Sequence, residues 1–106
     1  MVKRFDVYLV NLDAQVSNDP KNTRPCVIVS PDEMNANVGH VVIAPVSADS
    51  GTYPTRIPFD LLNSKRFIIL DQLRAIETVR LVKKIADVDA ATQKLTLDTL
   101  QEFFAA

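Results

Sequence analysis

Residues 21–31 read KNTRPCVIVSP, and the six residues 25–30 within them, PCVIVS, decide the fold. Four apolar residues follow a proline without a break: Cys26, Val27, Ile28 and Val29. Successive side chains of an extended chain point to opposite faces, so this run predicts a strand buried on both sides. Pro25 marks where the strand begins, because proline lacks an amide hydrogen and holds its predecessor in extended geometry. At the other end Ser30, Pro31, Asp32 and Glu33 read as N-cap, N1, N2 and N3 of a short helical turn with a capping box. Arg24 stands on the threshold with its backbone restricted by Pro25. A cation at that place is either a solvated strand end or a group aimed at a phosphate.

Outward from this strand, residues 4–12 (RFDVYLVNL) predict another, with Phe5, Val7 and Leu9 alternating against Asp6 and Tyr8. The polar residues 13–23 between them are long for a connection in a small domain, a length that usually signals function or mobility. Residues 41–46 (VVIAPV) predict a third strand. Residues 55–59 (TRIPF) predict a fourth, placed at an edge by Pro58. Residues 66–76 (RFIILDQLRAI) hold a fifth and residues 83–88 (KKIADV) a short sixth. Asp89 is a suitable N-cap for a helix over residues 90–104. Its Leu97, Leu100, Phe103 and Phe104 fall within about 120° at about 100° per residue, a stripe for packing on a sheet or on a second subunit. Five or six short strands with a terminal helix point to a small mostly-β barrel.

A length of 106 residues predicts one domain, 1–106. The composition, 47% hydrophobic and 24% charged, is that of a soluble globular protein. One cysteine rules out an internal disulfide and fits a reducing compartment. No apolar run approaches the roughly 18–20 residues of a membrane span. Asp6 and Asn11 interrupt the N-terminal apolar stretch, so a signal peptide is not expected and a cytoplasmic location is. The net charge of −1 leaves no nucleic-acid footprint in the totals. Residues 54–84, however, carry seven cations against three carboxylates, a net +4, while residues 85–106 set Lys94 against four carboxylates, a net −3. The basic half suits a short anionic polymer, and a solvated surface accounts for the same composition.

Metal chemistry has little to work with, since one His and one Cys cannot supply a zinc set. His40 follows Gly39 in a loop and reads as exposed; Cys26 reads as a small buried hydrophobe. Two glycines cannot build a phosphate-cradling loop. What remains are polar residues at strand ends: Arg24, Ser47, Asp71, Gln72 and Arg74.

Five pieces, in order and at compatible spacing, carry a resemblance over nearly the whole chain. They are DVYLVNLD (6–13), TRPCVIVSPDEMN (23–35), VVIAPVS (41–47), YPTRIPF (53–59) and LDQLRAIETVRLVKKI (70–85). Together they resemble the MazF/PemK/Kid family of toxin ribonucleases of type II toxin–antitoxin systems. The resemblance implies an SH3-like barrel of the MazF/Kid/CcdB type with a C-terminal α-helix, forming a homodimer. It implies cleavage of single-stranded RNA without metal or cofactor, the ribose 2′-OH attacking the adjacent phosphate to leave a 2′,3′-cyclic phosphate and a 5′-OH. It also implies neutralisation by a cognate antitoxin peptide. On the matching positions, Arg24 and Ser47 are the catalytic residues. Asn18, Asp19 and Lys21 of the substrate loop, with Asp71, Gln72 and Arg74, contact RNA.

The sequence departs from the family in four places. The loop lacks the usual P-x-x-G-S-E, with Ala14, Ser17, Asn18 and Asp19 in its stead. Asn18 stands where one branch has His, and Ile69 where that branch has Arg. Phe5 stands where the family usually has Gly, and an aromatic there would change packing or cover part of a groove. These departures keep open a catalytically decayed relative that serves as a dimeric antitoxin-binding module. A gyrase-poison-like non-enzyme is the third reading; its Trp-Gly-Ile ending is not matched by EFFAA.

Overall fold

The computed structural model describes residues 2–12, 22–48 and 53–105. Seven strands form one sheet: β1 (Asp6–Asn11), β2 (Thr23–Ile28), β3 (His40–Ser47), β4 (Arg56–Leu61), β5 (Ser64–Ile69), β6 (Arg74–Glu77) and β7 (Leu81–Asp87). A short helix α1 (Asp32–Asn37) follows β2, and α2 (Ala90–Phe103) ends the fold. The strand order is β4-β5-β3-β2-β1-β7, with β6 also paired to β3, and every pairing is antiparallel. The expected mostly-β fold with a C-terminal helix is the one observed, as a curled sheet.

β2 lies at the centre and is buried on both faces, as its apolar run predicts. Val27 and Val29 enter one core with Phe5, Val7, Ala44, Ile57, Phe59, Ile68 and Leu70. Cys26 and Ile28 enter the other with Val10, Val41, Ile43 and Ile76. Two bulges in the β1–β7 pairing, at Val7/Tyr8 and Leu9/Val10, add the local twist that curls the sheet at this end. Pro58 is exposed on β4, the terminal strand, where a missing amide hydrogen breaks no ladder.

The predicted fifth strand is two. Going back along β3 from Val46 to Ile43 spans three residues, whereas the partner chain runs six, from Ile68 to Arg74. The surplus is the 3-10 turn Leu70–Gln72. It is pushed out of the sheet beside Ala44 and Pro45, where a proline can contribute no amide to a ladder. Leu70 is its anchor, buried in the first core and donating its N–H to the Thr55 carbonyl at 2.9 Å. Asp71 and Gln72 are thereby exposed.

Three other expectations are corrected. α1 has no capping box: Pro31 is its N-cap, and no side chain caps it. Ser30 is turned inward instead, where it donates to Asn35 Oδ1 and accepts from the Val42 N–H at 3.0 Å. The stripe on α2 does not lie on the sheet as a unit. Leu100 packs against the first core, but Leu97, Phe103 and Phe104 stay exposed, and Thr92 and Thr96 are the helix's buried residues. The predicted cap does hold, with Asp89 accepting from the Thr92 N–H at 3.0 Å.

Phe5 is the third. It precedes β1 instead of alternating within it, and its φ is +73°. A left-handed backbone costs an L-residue about 1–2 kcal/mol. Here both of its backbone groups are committed, the N–H to the Ile28 carbonyl at 2.7 Å and the carbonyl to the Val88 N–H at 3.1 Å. The ring is 6% exposed in the first core, so it fills a cavity and covers no groove. The ring's burial offsets the strain that a glycine would avoid. We expect Phe5→Ala to cost about 3–5 kcal/mol. Phe5→Gly should be no less stable than Phe5→Ala, reversing the usual order by about 1 kcal/mol. Urea titration of both variants checks this; a glycine variant weaker than the alanine one would contradict the left-handed backbone.

Candidate RNA-binding and cleavage surface

Arg24 and Ser47 lie on neighbouring strands. The β2–β3 ladder pairs Ile28 with Ile43, Val27 with Ala44 and Cys26 with Pro45. The observed pairing ends there, and continuing its offset by two residues would bring Arg24 opposite Ser47. Residues directly opposite one another in an antiparallel pair share a face. Arg24 also faces Val10 of β1, and Ser47 faces Phe67 of β5. On that continuation Val10 and Arg24 would share a row with Ser47, Phe67 and Pro58. Arg24 is exposed, and its guanidinium has no side-chain partner among the described residues.

Arg74 belongs to the same face, opposite Ile43 and two rows from Pro45. It is exposed, and its charge reaches Cys26. Burial pushes the Cys26 thiol up to about 12, with Arg74 opposing the shift. A thiol so held is no nucleophile at neutral pH, in keeping with its reading as a hydrophobe.

Asp71 is not a free carboxylate awaiting a base. It accepts from Thr55 Oγ1 at 3.0 Å, and Arg56 approaches it with Nε at 3.3 Å and Nη2 at 3.4 Å. The Arg56 guanidinium lies 4.7 Å from the centroid of the Tyr53 ring. Sequence reasoning gave Tyr53, Thr55 and Arg56 no role. The signal was present, since Thr55-Arg56 at the start of β4 repeats the Thr23-Arg24 pair at the start of β2. Strand order sets β4 three strand spacings of about 4.8 Å from β2 and antiparallel to it, and the pairings put Arg56 on the same face as Arg24.

The Arg56 hydrogen bond, more than the one from Thr55, holds the Asp71 carboxyl below the usual aspartate value. Gln72 is exposed beside it. Asn18, Asp19 and Lys21 lie outside the described residues. His40 occupies the far end of β3 from Ser47, seven residues and about 23 Å away, so no histidine of the same chain reaches this surface. Among the described residues no three His, Cys, Asp or Glu side chains gather closely enough to hold a metal ion. No described helix is long and apolar enough to cross a membrane.

The Arg56–Asp71 pair is exposed and so contributes little to stability; its effect is to fix the carboxylate. A lowered folded value means its contribution is present above the ordinary aspartate pKa and lost as pH falls through the folded one. Arg56→Ala should raise the Asp71 titration toward the ordinary aspartate value, read by carboxyl-carbon NMR. A titration unmoved by the substitution would show that Arg56 does not hold it.

Comparison with known proteins places this geometry in a family. Residues 3–104 match the family described as PemK-like, MazF-like toxin of type II toxin-antitoxin system. Endoribonuclease EndoA of Bacillus subtilis is 30% identical over 98 residues, covering 84% of this chain and 82% of that protein. Endoribonuclease MazF9 of Mycobacterium tuberculosis is 29% identical over 101 residues, covering 86% of each. Among solved structures, a mycobacterial endoribonuclease in complex with its cognate antitoxin superposes with a TM-score of 0.80 at 21% identity. That match covers 96% of this chain and 93% of the other.

Proposed function

The chain belongs to the PemK-like, MazF-like toxin family of type II toxin–antitoxin systems, and we propose that it cuts single-stranded RNA at Arg24 and Ser47. The observation that carries this reading is that Arg24, exposed and without a side-chain partner among the described residues, and Ser47 each lie two residues beyond the Cys26–Pro45 pair of adjacent strands. Both relatives matched in sequence are endoribonucleases.

In this reading the ribose 2′-OH attacks the adjacent phosphorus. The bond to the 5′-oxygen breaks, leaving a 2′,3′-cyclic phosphate and a 5′-OH; the proton leaving the 2′-OH passes to water, and water returns one to the 5′-oxygen. Charge grows on the non-bridging oxygens during attack, and preorganised donors aimed at them lower the barrier. Arg24 supplies a fixed fork of N–H donors suited to phosphate. Ser47 supplies a hydroxyl donor. An arginine guanidinium is not deprotonated in proteins, so Arg24 has no proton-transfer role. Asp71, held ionised by Arg56, has no proton to give at neutral pH. Both act through charge and hydrogen bonding. No metal is needed for these steps. Gln72, Arg74 and the loop residues Asn18, Asp19 and Lys21 extend the RNA contact.

The decayed-relative reading loses one support, because Phe5 is buried in the core and leaves the RNA face untouched. Incubation with a long mixed-sequence RNA in EDTA, with mapping of the 5′-OH ends, tests the assignment. Arg24→Ala and Ser47→Ala should each lower cleavage by about 10²–10³. Cleavage unchanged in Arg24→Ala would overturn it.

The same reading includes a homodimer and inhibition by an antitoxin peptide, the partner named for the mycobacterial relative. The exposed Leu97 and Phe104 on and beside α2 support a second copy as their cover. Light scattering should give twice the chain mass, falling to the single-chain value in Leu97→Asp/Phe104→Asp. A dimer intact in that variant would move the contact elsewhere.

A further inference from the structure

Tyr53 takes no part in the steps above, yet its surroundings are organised. The ring is 61% exposed, among the most exposed large apolar side chains described. Arg56 covers it at 4.7 Å from the centroid. Arg56 is itself held by Asp71, at 3.3 and 3.4 Å. The Arg56 N–H donates to the Tyr53 carbonyl at 3.1 Å, closing the turn that ties ring to guanidinium. An exposed aromatic side chain normally samples several rotamers and loses that freedom on binding. A guanidinium fixed from behind restrains this ring beforehand, which lowers the cost of docking a ligand on it.

We propose that Tyr53 is a stacking platform for one unpaired base of the RNA. The proposal rests on the endoribonuclease reading and deepens it. Unpaired bases are bound by stacking on aromatic rings and by hydrogen bonds to their edges. The local charge selects a base over a phosphate. Arg56 is paired with Asp71, and the adjoining groove of about 250 Å³ is lined by Pro54, Thr55, Thr99, Glu102 and Phe103. Its carboxylate would repel a phosphate, whereas its apolar walls suit an uncharged ring. Phosphate falls instead to Arg24 and Arg74, whose side chains have no carboxylate partner among the described residues. The ionised Asp71 is an acceptor only. Beside the platform it favours bases that present amino donors, adenine, cytosine or guanine, over uracil, whose edge presents one N–H between two oxygens.

The test uses the full chain and a fluorescein-labelled, mixed-sequence 2′-fluoro RNA, which has no 2′-OH and cannot be cut. Anisotropy titration should show Tyr53→Ala and Tyr53→Ser binding about 5- to 150-fold more weakly. Tyr53→Phe and Tyr53→Trp, which keep a ring face, should bind within about twofold of the parent. Equal thermal midpoints for all four variants separate lost stacking from lost folding. Tyr53→Ala binding like the parent, while Arg24→Ala abolishes cleavage of ordinary RNA, overturns the platform and leaves the nuclease reading standing. Tyr53→Phe as weak as Tyr53→Ala assigns the effect to the hydroxyl and also overturns it. A parent chain that neither binds nor cuts RNA overturns both readings.

Discussion

Everything on the proposed RNA face depends on the register of β2. Its four apolar residues alternate into two different cores, Val27 and Val29 into one, Cys26 and Ile28 into the other. In a sheet with one solvated face, a slip by one residue exposes the apolar set and is penalised for that reason. Here a slip would exchange the two sets instead. The penalty comes from shape, because each core is close-packed around particular side chains. Pro25 does not begin the strand, as its lack of an amide hydrogen suggested: β2 starts at Thr23, and Pro25 pairs with Leu9 inside the ladder. Once β2 is seated against β1 and β3, Arg24 has one address, between Val10 and the end of β3. The cation is placed by buried residues it does not touch.

The second half of the face arises from a mismatch. β3 is too short, by three residues, for the chain that runs antiparallel along its edge. The excess could have been absorbed in a loop at either end of the sheet. It is expelled in mid-course because Leu70 has a place in the first core and an amide bond to Thr55. That single anchor turns Asp71 and Gln72 outward beside the start of β4. There Thr55 and Arg56 meet the carboxylate, and Arg56 in turn braces Tyr53.

Much of this was legible in the residues. The two-sided burial of β2, the edge position of β4 and the Asp89 cap all follow from local rules that tertiary structure did not override. The misreadings share a cause. Ser30-Pro31-Asp32-Glu33 has the form of a capping box, but a buried serine found better partners in Asn35 and Val42. The α2 stripe is a correct periodicity whose exposed part no described residue covers. Residues 66–76 read as one strand because nothing local announces that β3 will fail to match them. Phe5 at φ +73° is the least readable, since strain in a bulky residue is tolerated only when distant partners, here Ile28 and Val88, hold both backbone groups. For the site, single residues at strand ends were visible. The grouping of Tyr53, Thr55, Arg56 and Asp71 was not, because it is made by strand order across 18 residues of sequence.

The two arginines that follow a threonine at a strand start show how one sequence pattern serves opposite purposes. Arg24 and Arg56 stand at the starts of β2 and β4, which run antiparallel three strand spacings apart, and the pairings put both on one face. Arg24 lies on a central strand, where buried neighbours fix its backbone and no side chain among the described residues compensates its charge. Arg56 sits on the edge strand, where backbone is less constrained, and its position is set by Asp71 and Tyr53 instead. A guanidinium stabilises a developing phosphate charge in proportion to how little of its own field is already cancelled. By that criterion Arg24, of these two, is suited to the reacting phosphate, and Arg56 is suited to holding other groups still. Duplicating the residue type does not duplicate the role; the carboxylate supplied by the expelled turn decides between them.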